Sequence, residues 1–170
     1  MTDATLRQGG PRPAVRVERR LPDPPGVVWR AITDREQLRR WFPCDVEVEG
    51  AEWVVGARIT FVFPPDVIEM TLTGKVPSVD PPGLLSYSWG EDILTFELQA
   101  DGEGTLLALA NELEAPHCAR NAAGWDDCLD RLCGVTPQRD GWRTHFDAYV
   151  EAFSPVLGPQ DGPPAGYKGD

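Results

Sequence analysis

Between Ala115 and Gly134 the sequence APHCARNAAGWDDCLDRLCG sets Ala122, Trp125, Leu129 and Leu132 three and four residues apart. That spacing is one apolar stripe along a helix. The reverse side carries Asp126, Asp127, Asp130 and Arg131, with Asp127 and Arg131 one turn apart, and reads as a solvated face. A glycine inside such a helix costs about 1 kcal/mol relative to alanine. Gly124 therefore signals close approach to another layer, with the neighbouring indole filling the gap. Short strand-like runs precede this stretch, so the pattern predicts a helix over 118–132 laid across an antiparallel sheet.

The 170 residues suffice for one domain with a single core. A hydrophobic content of 41% excludes wholesale disorder. The formal net charge of −11 has the wrong sign for nucleic acid or an anionic membrane surface. No apolar run approaches the roughly 20 residues of a membrane span, and the start MTDATLRQGGPRP lacks the apolar core of a signal peptide. A cytoplasmic location is expected, with Cys44, Cys118, Cys128 and Cys133 as reduced thiols, since their spacing fits no disulfide framework.

Residues 1–13 are polar and rich in Gly and Pro, and read as a mobile tail. Ala14 to Leu21 alternates as a half-exposed strand, but Arg19 falls on its apolar side and needs a partner or a route to solvent. Asp23 can cap a helix beginning at Pro24, and Thr33-Asp-Arg-Glu36 reads as a capping box opening a second short helix that carries Leu38, Trp41 and Phe42. Strand signals then recur over 46–48, 57–63, 70–76, 84–89, 93–100 and 105–113, separated by turn residues, which favours antiparallel hairpins. Asp140 can cap a further helix with Trp142, Phe146, Tyr149 and Phe153 on one stripe, and 158–170 reads as a second mobile tail. The fold class is α+β: a curved antiparallel sheet of about six or seven strands, with two short helices after the first strand and a long C-terminal helix across the sheet.

Strand parity turns Phe61, Phe63, Met70, Tyr87, Trp89 and Asn111 toward the helix, together with the core residues Leu72, Phe96, Leu107 and Leu109. Tyr87, Trp89 and Asn111 each bring a polar atom that needs a partner when buried. A few convergent polar groups in an apolar cleft is the usual look of a small-molecule site. Trp41, with Phe42, is placed at its mouth, and Gly74 and Gly124 are expected to leave room opposite. No metal is expected from His117, His145 and the cysteines, because Cys128 and Cys133 point about 140° apart around a helix and no paired short spacing occurs. Catalytic residues and cofactors are likewise not expected. Glu69, Glu97 and Glu112 fall on outward strand positions, which leaves Tyr87 as the one weak proton carrier.

The segments VWRAITDREQLRRWFP, VDPPGLLSYSW and AAGWDDCLDRL resemble the START-like (SRPBCC) superfamily, in the branch named for activators of a heat-shock-protein ATPase. The resemblance spans Ala14 to Phe153 and implies the helix-grip fold for residues 14–157. Asn111 stands where relatives often carry His, and the segment after Pro43 is short. The superfamily shares a cavity more than a chemistry. The resulting reading is a non-catalytic module that holds an apolar or aromatic small molecule between sheet and C-terminal helix. The alternatives are a co-chaperone-like protein-interaction module, and a polyketide-cyclase-like enzyme.

Overall fold

The computed structural model describes residues 3–168; residues 1, 2, 169 and 170, the outer ends of the two expected tails, lie outside the described residues. In chain order the elements are β1 (Thr5–Arg7), β2 (Ala14–Leu21), α1 (Pro25–Thr33), α2 (Arg35–Leu38), β3 (Asp45–Val48), β4 (Arg58–Val62), β5 (Thr71–Lys75), β6 (Ser78–Asp80), β7 (Leu84–Trp89), β8 (Asp92–Asp101), β9 (Gly104–Glu112), α3 (Cys118–Leu132) and α4 (Gly141–Leu157). Every strand pair is antiparallel. Six strands run β1-β2-β9-β8-β7-β6, and three run β3-β4-β5. The expected order of elements holds, including the two helices between the first long strand and the next. The three-residue strands β1 and β6 are additional: segments this short carry no periodicity to read.

Where β5 meets β7 the two sheets are joined by Gly90 N–H to the Thr73 carbonyl (3.1 Å) and Lys75 N–H to Ser88 Oγ (2.9 Å). Gly74 makes that seam possible, because a Cβ there would lie 1.9 Å from the Ser88 carbonyl oxygen. The expected room opposite Gly74 is thus filled by backbone. Gly74→Ala is expected to cost about 1–3 kcal/mol, the usual penalty of overpacking, read as a lower denaturation midpoint with an unchanged m-value.

α3 lies on the inner face of the larger sheet, with Trp125 and Leu129 buried. α4 packs on the far side of α3, placing Tyr149 and Phe153 in the core. The helix is therefore covered on both sides, and Asp126 is fully buried rather than solvated. Gly124 serves this outer layer: a Cβ there would sit 4.0 Å from Nε1 of Trp142, an ordinary contact with α4 and not a gap against the sheet.

Two helix starts differ from expectation by one residue. α1 begins at Pro25 without a side-chain cap. Asp34, not Thr33, caps α2 by accepting from the Glu36 N–H at 2.8 Å, since the Thr33 hydroxyl donates back to the Trp29 carbonyl. The segments read as tails are tied down within the described residues. Thr5–Arg7 pairs with β2, because its backbone can complete the sheet edge. Gln160 caps α3 by accepting from the Ala119 N–H and donating to the Ala115 carbonyl, both at 2.9 Å. Lys168 N–H reaches the Val67 carbonyl at 2.6 Å.

Candidate binding chamber

The ladder register fixes which side chains meet under α3. Phe61 on β4 and Tyr87 on β7 are both fully buried and stack with ring centroids 5.7 Å apart. Phe63 and Trp89 are half-buried neighbours at 6.0 Å. Trp41 is buried; its indole N–H donates to the Ala31 carbonyl at 2.9 Å, and its ring meets Phe96 edge-on at 6.2 Å. It is a wall residue, not the rim of an opening, because α1 and α2 fold over it. Met70 is half-buried, and its carbonyl accepts the Phe63 N–H at 3.0 Å.

Three further residues complete the aromatic chamber. Phe42 lies 6.1 Å from Trp89 and 5.7 Å from Trp125, and Trp89 and Trp125 are 5.5 Å apart. Trp53 packs against Tyr87 at 5.3 Å with the rings tilted by 40°, and its indole N–H donates to the Thr33 carbonyl at 2.9 Å. Sequence reasoning missed Trp53. The one signal was an apolar triplet, Trp53-Val54-Val55, stranded between turn residues where no strand or helix period claims it.

Asn111 is not available to a ligand. Its amide oxygen accepts from Trp125 Nε1 and from Asn121 Nδ2, both at 3.0 Å, and its Nδ2 donates to Asp92 Oδ2 and the Glu112 carbonyl, both at 3.3 Å. An amide offers two lone pairs and two hydrogens, so this one is fully used in latching β9 to α3. The expectation that it lines the site as a free polar group is corrected: α3 carries the matching donors. Asp92, also missed, is raised from its ordinary value by burial, against the bond from Asn111.

Tyr87 and Trp89 behave differently. Tyr87 Oη and Trp89 Nε1 are both buried without a hydrogen-bond partner meeting ordinary geometry. The Cys44 thiol lies beside the Trp89 N–H, which partly offsets the burial that pushes Cys44 up to about 12. A charge on Cys44 would act on Tyr87, whose phenol is itself raised by burial. All three groups therefore stay neutral at physiological pH, and they share one apolar surround.

Among the clefts formed by the described residues are two surface ones, and none of the seven expected residues lines either. One of about 420 Å³ runs along the β2 edge between Asp3 and Arg20; the other, of about 500 Å³, lies over the β5–β7 seam between Arg58 and Ser88. The chamber itself is occupied by its own rings. On the opposite side of α3, Arg19 meets Asp126 and Asp130 at 3.2 Å and Asp3 at 3.0 Å, which answers its need for a partner. Tyr149 Oη donates to Asp126 Oδ2 and accepts from the Ala4 N–H at 2.9 Å. Glu97 on β8 is exposed, as strand parity requires, and Glu69 is exposed in the segment before β5.

A curved antiparallel sheet gripping a long helix over an aromatic interior is the helix-grip arrangement of START-like proteins. Within that class, the chain belongs to the family described as Activator of Hsp90 ATPase homolog 1-like protein, whose sequence model matches residues 23–135. Among solved structures it is similar to EF2215 of Enterococcus faecalis, a conserved protein of unknown function (22% identity, TM-score 0.73, 91% of this chain and 92% of that one). It is also similar to CalU16 of Micromonospora echinospora (22% identity, TM-score 0.70, 92% and 98%). DynU16, a protein in the dynemicin biosynthetic locus, matches at 25% identity and TM-score 0.61 over 71% of this chain and 46% of its own length. Among curated proteins none matches the chain. No helix of the described residues is long and apolar enough to cross a membrane.

Proposed function

We propose that this protein is a non-catalytic, cytoplasmic binding module that takes up an apolar or aromatic small molecule in the chamber between the two sheets and α3. The observation that carries the reading is the pair of buried polar atoms, Tyr87 Oη and Trp89 Nε1, left without a partner of ordinary hydrogen-bond geometry inside a wall of aromatic rings. A buried polar group without a partner costs about 1–3 kcal/mol, and a ligand that supplies the partner recovers it on binding. The similarity to a protein from a biosynthetic locus adds support for small-molecule chemistry as the setting. Because the rings fill the chamber, a ligand must displace some of them, and micromolar affinity is the expectation after that cost is taken off.

The test is native mass spectrometry of protein purified from its own host, followed by Trp fluorescence titration with aromatic and lipid-like compounds. A retained small-molecule mass and saturable quenching are expected, and Trp89→Phe should remove most of the quenching. No retained mass and no fluorescence change across the compounds would reject the module. The filled interior, with Val54 and Val55 exposed at 51% and 67%, favours as second reading a protein-interaction surface similar to that of co-chaperone domains.

A further inference from the structure

Three rings pack against Tyr87, Phe61 stacked and Phe96 and Trp53 tilted, and they are not held equally. Phe61 at 5.7 Å and Phe96 at 6.0 Å sit on β4 and β8 with no exposure. Trp53, nearest at 5.3 Å, lies on the connection between β3 and β4, is half-buried, and has one side-chain bond, to the Thr33 carbonyl. The next two residues, Val54 and Val55, expose 51% and 67% of their surface. Gly50 at φ 71°, Ala51 at φ 56° and Gly56 at φ 88° bracket the indole. Left-handed backbone at a residue with a Cβ, as at Ala51, persists only when the surroundings impose it. Trp53 is the one ring on Tyr87 whose departure breaks no strand or helix.

The polar demand beneath that ring has a sign. An indole N–H can only donate, whereas a neutral phenol or thiol can give its hydrogen or accept, the sulfur only weakly. The oxygen of Asn111 is already taken twice, so the acceptor beside Trp89 is the weak sulfur of Cys44.

We propose that the chamber binds a planar ring compound of about indole size that carries a hydrogen-bond acceptor, such as an aromatic ketone, and that the compound seats on the face of Tyr87 now covered by Trp53. This rests on the binding-module reading above and adds to it the chemistry of the ligand and its point of entry. The carbonyl accepts from Trp89 N–H and Tyr87 O–H, its ring replaces the indole in the stack, and Trp53 swings outward on its loop.

The pair 1-indanone and indane tests this, since they share a bicyclic frame and differ by one acceptor. Binding is read by titration calorimetry and by the ¹H–¹⁵N indole resonances, with Trp89 assigned through Trp89→Phe. 1-Indanone is expected to bind at least ten-fold more tightly than indane and to shift the Trp89 N–H resonance, which indane leaves in place. The preference should vanish in a Tyr87→Phe, Trp89→Phe double variant, while Trp53→Ala or the bulkier Trp53→Leu should tighten both compounds several-fold. Equal affinity for the two compounds overturns the acceptor assignment and leaves the binding module standing. Unchanged affinity in both folded Trp53 variants overturns the seat. Absence of binding by either compound, in parent and Trp53 variants alike, overturns this proposal; only if no small-molecule mass is retained from the host does the module fall with it.

Discussion

Trp125→Ala is expected to lower the free energy of unfolding by about 3–5 kcal/mol, as large-to-small core changes at Trp do. That is a large share of the roughly 5–15 kcal/mol a domain of this kind has. Trp125 is 2% exposed and its ring touches Phe42 and Trp89 at 5.7 and 5.5 Å. Its loss empties the centre of the interface between α3 and the sheets, where no backbone can move in without dragging the helix. The indole also donates to Asn111, so truncation leaves that oxygen with Asn121 alone. Trp125→Phe separates the two contributions: it keeps most of the ring and removes only the bond, for an expected loss of about 1 kcal/mol. Denaturant titration of both variants is the measurement. An alanine variant as stable as the parent would mean that α3 does not rest on this face.

The stripe Ala122, Trp125, Leu129 and Leu132 was legible because a helix on a sheet buries residues at the helical period; the first three are buried and Leu132, in the last turn, is half-buried. The inward set Phe61, Tyr87 and Phe96 was legible for the matching reason in strands. Burial of Asp126 was not, because it depends on a second helix, α4, packing over the first. Periodicity within α3 reports an apolar side but not whether its polar side meets water or Tyr149. Arg19 was the clue: a charge on an apolar strand face implies a buried acid, and the sequence had one 107 positions away. Asn111 shows the same limit. Its strand position identified it as inward, but only the structure shows donors from Trp125 and Asn121 using up its oxygen. Trp53 lay outside any period, so nothing in the local pattern directed it to Tyr87.

The largest effect outside the Trp125 interface is expected at Arg19. Its side chain is 10% exposed and bridges three carboxylates, Asp3, Asp126 and Asp130. Arg19→Met keeps most of the aliphatic stem but strips Asp126, which is 0% exposed, of its ion pair with Arg19. Breaking a buried pair from one side costs about 3–5 kcal/mol, because the other charge is left uncompensated. Asp126→Asn is expected to cost less, since the amide still accepts from Tyr149 and Arg19 keeps Asp3 and Asp130. The reading of Asp126 as part of a solvated face is thereby reversed, and Asp126→Ala, which leaves both Tyr149 and Arg19 without it, is expected to be destabilising. The penalty depends on pH with a definite sign. Burial pushes Asp126 up to about 7 from an ordinary 3.8, although the bonds from Tyr149 and Arg19 pull it down. The native state therefore holds a proton that the unfolded chain has released, so this group's contribution is full below pH 4, declines from there to about 7, and is flat above. Asp45, lowered to about 2 by Arg35 and Arg39, has the opposite sign, but its contribution is lost only below pH 4. Removing Arg19 raises Asp126 further and exposes its charge cost only where it is ionised. Arg19→Met should thus be markedly less destabilising at pH 5 than at pH 8, and the difference should disappear when Asp126→Asn is added. Chemical denaturation of the parent, both single variants and the double variant at the two pH values measures it. An equal penalty for Arg19→Met at pH 5 and pH 8, or one below about 1 kcal/mol as at an exposed pair, would show that this cluster is solvated and that α4 does not seal it.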